Sequence, residues 1–248
     1  MSVHSSARVV LFDIDGTLVD HDAAAAEGVR QWLTANGWAG AGTLARRVTD
    51  WDAIAEAHFT AYQAGLTTLQ GQRRLRLRDF LPRVGIDPSV WSDGRLDGLF
   101  ATYLVAYEAA WRSFPDALPC LRVLRPMVRI AVLSNGDQGQ QEKKVGRTGL
   151  GRHVDVVLTS GQLGAAKPDP AAFELACRRL CVPPQAVVYV GDRLEIDALA
   201  AAAAGLRGIW LNRRGEPVPP GVEAIGDLSE LPRMLRDPQP AGQWGRPG

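Results

Sequence analysis

Three short apolar runs in this sequence are each followed by side chains that could bind or activate a ligand. Asp13 and Asp15 follow the first run. Ser134 and Asn135 follow the second run, and Asp192 follows the third. If these runs are parallel strands of one open sheet, the residues after them meet at the carboxyl edge, where ligands bind. We therefore expect these side chains to form a single site.

A cluster of carboxylates requires a cation. Two carboxylates about 4 Å apart repel each other by about 4 kcal/mol at an effective dielectric constant of about 20. Asp13, Asp15 and Asp192 are therefore expected to surround a metal ion, and oxygen ligands without His or Cys favour Mg²⁺. Lys167, one of only 3 lysines in the chain, would add a fixed positive charge. This combination predicts a site for Mg²⁺ and a dianionic phosphate.

The elements that would position these residues alternate along the second half of the chain. Apolar runs predict strands at residues 8–12, 128–133, 154–158, 186–190 and 207–211. Helical stretches lie between the later strands. One of them begins near Asp169 and Pro170, and another ends at Gly205. This alternation predicts an α/β fold with a parallel, doubly wound sheet.

The stretch between the first two predicted strands is helical instead. Its apolar residues recur at helical spacing in four segments, and no β-branched run interrupts them from about residue 22 to residue 111. We therefore expect an α/β core formed by residues 1–20 and 116–236, with an all-helical domain inserted at 21–115. Residues 237–248 are rich in Pro and Gly and are expected to form a flexible tail.

The composition narrows the class of protein. The chain has 248 residues, of which 46% are hydrophobic, so it can bury a substantial core. Its 28 basic and 27 acidic residues give a net charge of +1, which offers no overall attraction for nucleic acid or an anionic membrane. Its 3 cysteines suit a reducing compartment. We expect a cytoplasmic monomer or homodimer with no nucleic-acid or membrane partner.

Four of these segments together resemble the motifs of the haloacid dehalogenase-like hydrolases. Residues 13–17 (DIDGT) resemble the first motif, and residues 134–136 (SNG) resemble the second. Residues 167–168 (KP) resemble the third, and residues 191–192 (GD), with Asp197 further on, resemble the fourth. The order and spacing match across the chain. The resemblance implies a Rossmann-like core with an inserted helical cap that closes over the site.

The resemblance also implies catalytic roles. Asp13 would attack phosphorus and form an aspartyl-phosphate. Asp15 would give a proton to the leaving oxygen and then take one from the attacking water. Ser134, Asn135 and Lys167 would bind the transferring phosphoryl group.

The resemblance assigns the metal ligands as well. Asp13, the backbone carbonyl of Asp15 and Asp192 would bind Mg²⁺, with Thr17 close behind these ligands. Asp197 would lie behind the ligands or beside the metal, although its place one turn into a helix also suits a carboxylate that serves the positive helix N-terminus.

Phosphate chemistry is the best prediction within this family. Members that remove halide resemble Asp-x-Tyr-Gly-Thr at the first motif, whereas this chain has Asp15 at the third position. A phosphonate-cleaving member would need a lysine in the cap, and residues 20–119 contain none. The sequence therefore predicts a Mg²⁺-dependent hydrolase of a small phosphorylated metabolite. A sugar phosphomutase and a non-enzymatic phosphoacceptor are the alternatives.

Overall fold

The computed structural model describes residues 8–38 and 44–236, so the predicted tail at 237–248 lies outside the described residues. The chain divides into two compact units. Of the described residues, 8–18 and 113–236 belong to one unit, and 19–38 and 44–112 belong to the other. The divisions predicted from the sequence, at residues 20/21 and 115/116, lie two and three residues further along the chain than these.

The first unit is built on a parallel sheet of six strands. The strands are β1 Val9–Phe12, β2 Arg129–Ser134, β3 Val156–Thr159, β4 Val187–Gly191, β5 Arg207–Leu211 and β6 Glu223–Ile225. Their order across the sheet is β3-β2-β1-β4-β5-β6, and every pair is parallel. The four residues of β1 are buried, because β2 and β4 flank this strand and both faces of the sheet are covered. The prediction of a parallel α/β fold is confirmed.

The second unit is helical in its described part. Its helices are α1 His21–Ala35, α2 Leu44–Gln63, α3 Leu69–Phe80 and α4 Asp93–Ala109, with a 3₁₀ turn at Leu81–Val84. Aromatic rings form its centre, where Trp51 lies 5.1 Å from Phe80 and 4.6 Å from Tyr103 between ring centroids. Throughout the described chain, every helix is too short or too polar to span a bilayer.

The remaining helices belong to the sheet unit. They are α5 Ala117–Leu124, α6 Gln138–Arg147, α7 Ser160–Leu163, α8 Pro170–Leu180, α9 Ala200–Ala203 and α10 Leu231–Arg236. Short 3₁₀ turns lie at Leu150–Arg152, Pro184–Ala186 and Leu228–Glu230. Asp169 caps α8 by accepting a hydrogen bond from the backbone of Ala171, as its position before Pro170 predicted.

Three strands bring their ends to one edge of the sheet. Phe12, the last residue of β1, is in register with Val132 on β2 and with Val190 on β4. The residues that follow these positions therefore lie at the same level. Ser134 is the last residue of β2 rather than the first of a loop, because it pairs with Thr159 in the ladder.

The segment after β4 differs from the continuous helix that was expected there. A π-helical turn at Leu194–Leu199 comes first, and only then does α9 begin. This turn packs directly on the backbone of β5. A Cβ atom added at Gly208 would lie 2.0 Å from the carbonyl oxygen of Ala198. The close approach therefore depends on the missing side chain of Gly208, and it helps to place Asp197.

We expect Gly208→Ala to destabilise the protein, because the added methyl group must push the π-helical turn away from β5. Overpacking of this kind lowers the free energy of unfolding by about 1–3 kcal/mol. Urea denaturation of the metal-free protein measures this change.

The matched control is Gly146→Ala on α6, where a new Cβ meets no atom within 4 Å. Alanine is favoured over glycine inside a helix by about 0.5–1 kcal/mol, so this variant should be slightly more stable than the parent. Equal unfolding free energies for the two variants would show that the contact at Gly208 imposes no constraint.

Candidate active site

Lys167 lies at the centre of a buried group of polar side chains. Its Nζ atom donates to Asp13 Oδ1 at 2.7 Å, to Asp197 Oδ1 at 2.6 Å and to the hydroxyl of Tyr189 at 2.7 Å. The side chains of Lys167, Asp13 and Asp197 are 4%, 9% and 1% exposed. Each of the three ammonium N–H groups therefore has an oxygen acceptor. This network fixes the Asp13 carboxylate at the end of β1.

Asn135 positions Lys167 through its backbone. Its Nδ2 donates to the carbonyl oxygen of Lys167 at 2.7 Å, and its Oδ1 accepts from the Lys167 N–H at 2.8 Å. Both polar atoms of the amide thus contact the loop before α8. A direct contact between Asn135 and substrate stays a prediction, whereas its link to Lys167 is visible in the structure.

Three carboxylates converge beside this network. One oxygen atom from each of Asp13, Asp192 and Asp197 lies within 4.8 Å of the others. Asp192 follows β4, where Thr17 Oγ1 donates to its Oδ1 at 3.3 Å and the Trp210 indole donates to its backbone carbonyl at 2.9 Å. The structure therefore brings together Asp13 and Asp192, two of the predicted metal ligands, and adds Asp197.

These three carboxylates differ in how they are already engaged. Asp197 Oδ1 accepts from Lys167 and from Tyr189, and its Oδ2 accepts from the backbone N–H of Arg193 at 3.1 Å. Asp197 is therefore better suited to orient Lys167 than to bind a metal. Asp13 and Asp192 offer hard oxygen donors that fit Mg²⁺. The predicted contribution of the Asp15 backbone carbonyl stays a prediction.

The side chain of Asp15 contacts a different element, α6. Lys144 Nζ donates to its Oδ1 at 2.5 Å, and Gln141 Nε2 donates to its Oδ2 at 2.9 Å. The same Gln141 nitrogen donates to Ser134 Oγ at 3.0 Å. Ser134 and Asp15, both predicted site residues, are thus joined through one amide group.

Sequence reasoning missed Lys144, Gln141 and Tyr189. For Lys144 a usable signal existed, because lysine is rare in this chain and this one lies ten residues after Ser134 on the next predicted helix. Gln141 precedes Lys144 by three residues and so shares its face of α6. Tyr189 lies inside an apolar strand, where an aromatic residue is typical of the core.

Burial shifts the proton equilibria of the acidic cluster. Burial raises the pKa of Asp13 to about 8, and the carboxylates of Asp197, Asp192 and Asp15 add to the effect while Lys167 opposes it. Burial and Asp197 raise the pKa of Asp192 to about 6.

Lys167 remains the charged partner of this cluster. Burial disfavours its ammonium form, but Asp13 and Asp197 outweigh burial and hold the pKa of Lys167 above its ordinary value. Ionisation of Asp13 and Asp192 is thus disfavoured until further positive charge arrives, which a divalent cation would supply.

The chain is similar to known hydrolases. A model of the haloacid dehalogenase-like hydrolases matches residues 7–205. The chain is 31% identical over 239 residues to the glyceraldehyde 3-phosphate phosphatase of Methanopyrus kandleri. The aligned region covers 93% of this chain and 96% of that protein.

Solved structures share the fold along most of the chain. The hydrolase YfnB of Bacillus subtilis, solved with magnesium bound, has a TM-score of 0.79 at 23% identity over 93% of this chain and 99% of that one. A 2-haloacid dehalogenase of Pseudomonas syringae has a TM-score of 0.67 at 28% identity, covering 93% of this chain and 98% of the other. Phosphatases and dehalogenases therefore both resemble this chain, and the site residues must separate the two.

Mg²⁺ affinity should increase with pH between 6 and 8. If Asp13 is a ligand, as predicted, the metal must displace the proton that Asp13 holds, and the pKa of Asp13 is about 8. One competing proton weakens binding by about tenfold for each pH unit below that pKa. Calorimetric titration at pH 6, 7, 8 and 9 should show this slope and a plateau above 8.

Two variants serve as controls for this titration. Asp192→Asn should abolish binding, because it removes one of the predicted ligands. Asp137→Asn should preserve it, because Asp137 is the N-cap of α6 and asparagine caps equally well. An affinity independent of pH would contradict the proposed ligand pair.

Proposed function

Because this chain belongs to the haloacid dehalogenase-like hydrolases, we propose that it is a Mg²⁺-dependent phosphatase of small phosphorylated metabolites that works through an aspartyl-phosphate. One observation carries the proposal: the buried carboxylate of Asp13 and the partly buried carboxylate of Asp192 converge beside the ammonium group of Lys167. Fixed positive charge next to two oxygen ligands suits a phosphate dianion and a divalent cation.

Asp13 is the nucleophile in this proposal. Lys167 holds one of its oxygens, so the carboxylate has a set direction at the end of β1. Attack by Asp13 on phosphorus forms a new P–O bond and breaks the bond to the leaving alcohol. Water then attacks the same phosphorus, which releases inorganic phosphate and restores the carboxylate.

Asp15 moves the protons in both steps. It gives one proton to the leaving oxygen and later takes one from the attacking water. This role separates ester hydrolysis from dehalogenation, because halide leaves without a proton whereas an alkoxide needs one. A second carboxylate at this position therefore favours a phosphate ester as the substrate.

Ser134 is prepared to donate to a phosphoryl oxygen. Its Oγ accepts hydrogen bonds from Gly136 N–H at 3.1 Å and from Gln141 Nε2 at 3.0 Å. A hydroxyl has two acceptor lone pairs and one hydrogen. With both lone pairs engaged, the hydrogen points to another acceptor, and a phosphoryl oxygen would fill that place.

The metal would complete the charge balance of the site. Asp13 and Asp192 would hold Mg²⁺, with the backbone carbonyl of Asp15 as the further predicted ligand. When bound, Mg²⁺ supplies charge neutralisation at the non-bridging phosphate oxygens. Lys167 contributes a second, permanent positive charge on the side of Asp197.

We expect the purified protein to hydrolyse p-nitrophenyl phosphate in the presence of Mg²⁺, and EDTA to abolish this activity. Asp13→Asn should remove turnover, since the nucleophile is lost. Asp15→Asn should slow the hydrolysis of alkyl phosphates by about 10²- to 10⁴-fold, the usual contribution of one acid–base group. Release of nitrophenolate and of phosphate is measured side by side.

Asp137→Asn is again the matched control, because it removes one carboxylate from α6 without removing its N-cap. Its activity should equal that of the parent. Turnover that survives EDTA, Asp13→Asn and Asp15→Asn alike would rule the mechanism out. Isomerisation of a sugar monophosphate without phosphate release would indicate the mutase instead.

Screening for released phosphate identifies the substrate class. Triose phosphates come first, because the relative from Methanopyrus kandleri is named for glyceraldehyde 3-phosphate. Sugar phosphates and nucleoside monophosphates complete the panel. The preferred substrate should exceed p-nitrophenyl phosphate in kcat/KM, because enzymes gain rate from contacts to the non-reacting part of their substrate.

A further inference from the structure

Two buried side chains of α6 contact Asp15, and the reaction as proposed so far gives no reason for that contact. Lys144 is 1% exposed and Gln141 is 3% exposed, and both donate to the carboxylate of Asp15. We propose that Lys144, assisted by Gln141, is a positioning residue that holds Asp15 in the orientation needed for proton transfer. This inference rests on the proposed phosphatase function and assigns one further part of its machinery.

Burial of Lys144 needs an explanation. Lysine is almost never fully buried unless it is paired, because removing its charge from water costs several kcal/mol. The ion pair with Asp15 compensates for that cost. The chain contains 3 lysines, and two of them are buried against the two aspartates of the first motif: Lys167 against Asp13, and Lys144 against Asp15.

Gln141 ties Asp15 to the predicted phosphate-binding hydroxyl. Its Nε2 donates to Asp15 Oδ2 at 2.9 Å and to Ser134 Oγ at 3.0 Å, which uses both amide hydrogens. Gly136 makes room for this contact, since a Cβ there would lie 2.1 Å from the same nitrogen. The proton-transferring carboxylate and the hydroxyl are therefore held at a fixed separation.

Together these contacts restrain the rotation of Asp15. Each carboxylate oxygen of Asp15 accepts from one donor on α6, so both oxygens are held by the same helix. The side chain of Asp15 is 29% exposed, so part of it still faces solvent. Without Lys144 the Asp15 carboxylate would spend less time in the orientation that allows proton transfer, and proton transfer would slow.

The test compares two leaving groups in Lys144→Met. Nitrophenolate leaves without a proton, whereas an alkoxide requires one from Asp15. Because kcat/KM reports the steps up to departure of the alcohol, we expect it to fall about 10²-fold for the best alkyl phosphate of the panel, the usual effect of a misplaced reacting group. For p-nitrophenyl phosphate it should stay within about threefold of the parent value.

A burst experiment provides the second readout. Asp15 also takes the proton of the attacking water, so Lys144→Met should slow hydrolysis of the aspartyl-phosphate. Rapid mixing with p-nitrophenyl phosphate should then release nitrophenolate in a burst equal to the enzyme concentration, followed by slow turnover. A purely structural effect on binding would not produce that burst.

Lys143→Met is the matched control, because Lys143 is exposed on the same helix and the substitution is identical. Its kinetics should equal those of the parent. Thermal unfolding checks that both variants fold. If Lys144→Met does not fold, Gln141→Leu can replace it, because this variant removes the other contact to Asp15. It should lower kcat/KM selectively for the alkyl phosphate, by a smaller factor.

Equal losses of kcat/KM on the two substrates, or no loss on the alkyl phosphate, would overturn the inference while leaving the phosphatase function intact. A parent protein that hydrolyses neither substrate would instead overturn the proposed function, and the inference with it. The two failures are therefore distinguishable from the parent measurement alone.

Discussion

The attraction between the Lys167 ammonium group and the carboxylates of Asp13 and Asp197 is the interaction on which the rest of the site depends. Three separated segments supply these charges: the end of β1, the loop before α8 and the π-helical turn after β4. A buried ion is stabilised only when its partners are well placed. The register of β1 with β4 supplies that placement, together with the two hydrogen bonds between the Asn135 side chain and the Lys167 backbone. The sheet edge is thus organised around a cation before any metal or substrate arrives.

The sequence predicted those parts of the fold and site that have a local signal. Apolar runs identify the larger strands, and Asp13 and Asp192 are recognisable as the polar residues that directly follow two of them. Both signals come from residues that are neighbours along the chain. Strand ends were harder to predict: Ser134 is polar and resembles a loop residue, yet it completes a ladder with Thr159. The strand β6 has three residues, too few to show alternation.

The residues that escaped prediction depend on partners far away in the chain. Lys144 and Gln141 lie in a polar helix that resembles a solvated one, and their partner Asp15 precedes them by more than 120 residues. The sequence left two roles open for Asp197, one at the site and one at the N-terminus of its own helix, and each of its two carboxylate oxygens serves one of them. One accepts from Lys167, and the other accepts from the backbone N–H of Arg193 at the start of its own turn. Such contacts exist only once the sheet has brought these segments together.

The distribution of lysines has a practical consequence for labelling this protein. Of its 3 lysine side chains, Lys144 and Lys167 are buried in ion pairs, and Lys143 is exposed. Amine-directed reagents attack the uncharged, accessible amine, and a buried ammonium that is held by a carboxylate offers neither property. A fluorophore or a solid support coupled through lysine would therefore attach at Lys143, outside the charge network at the sheet edge.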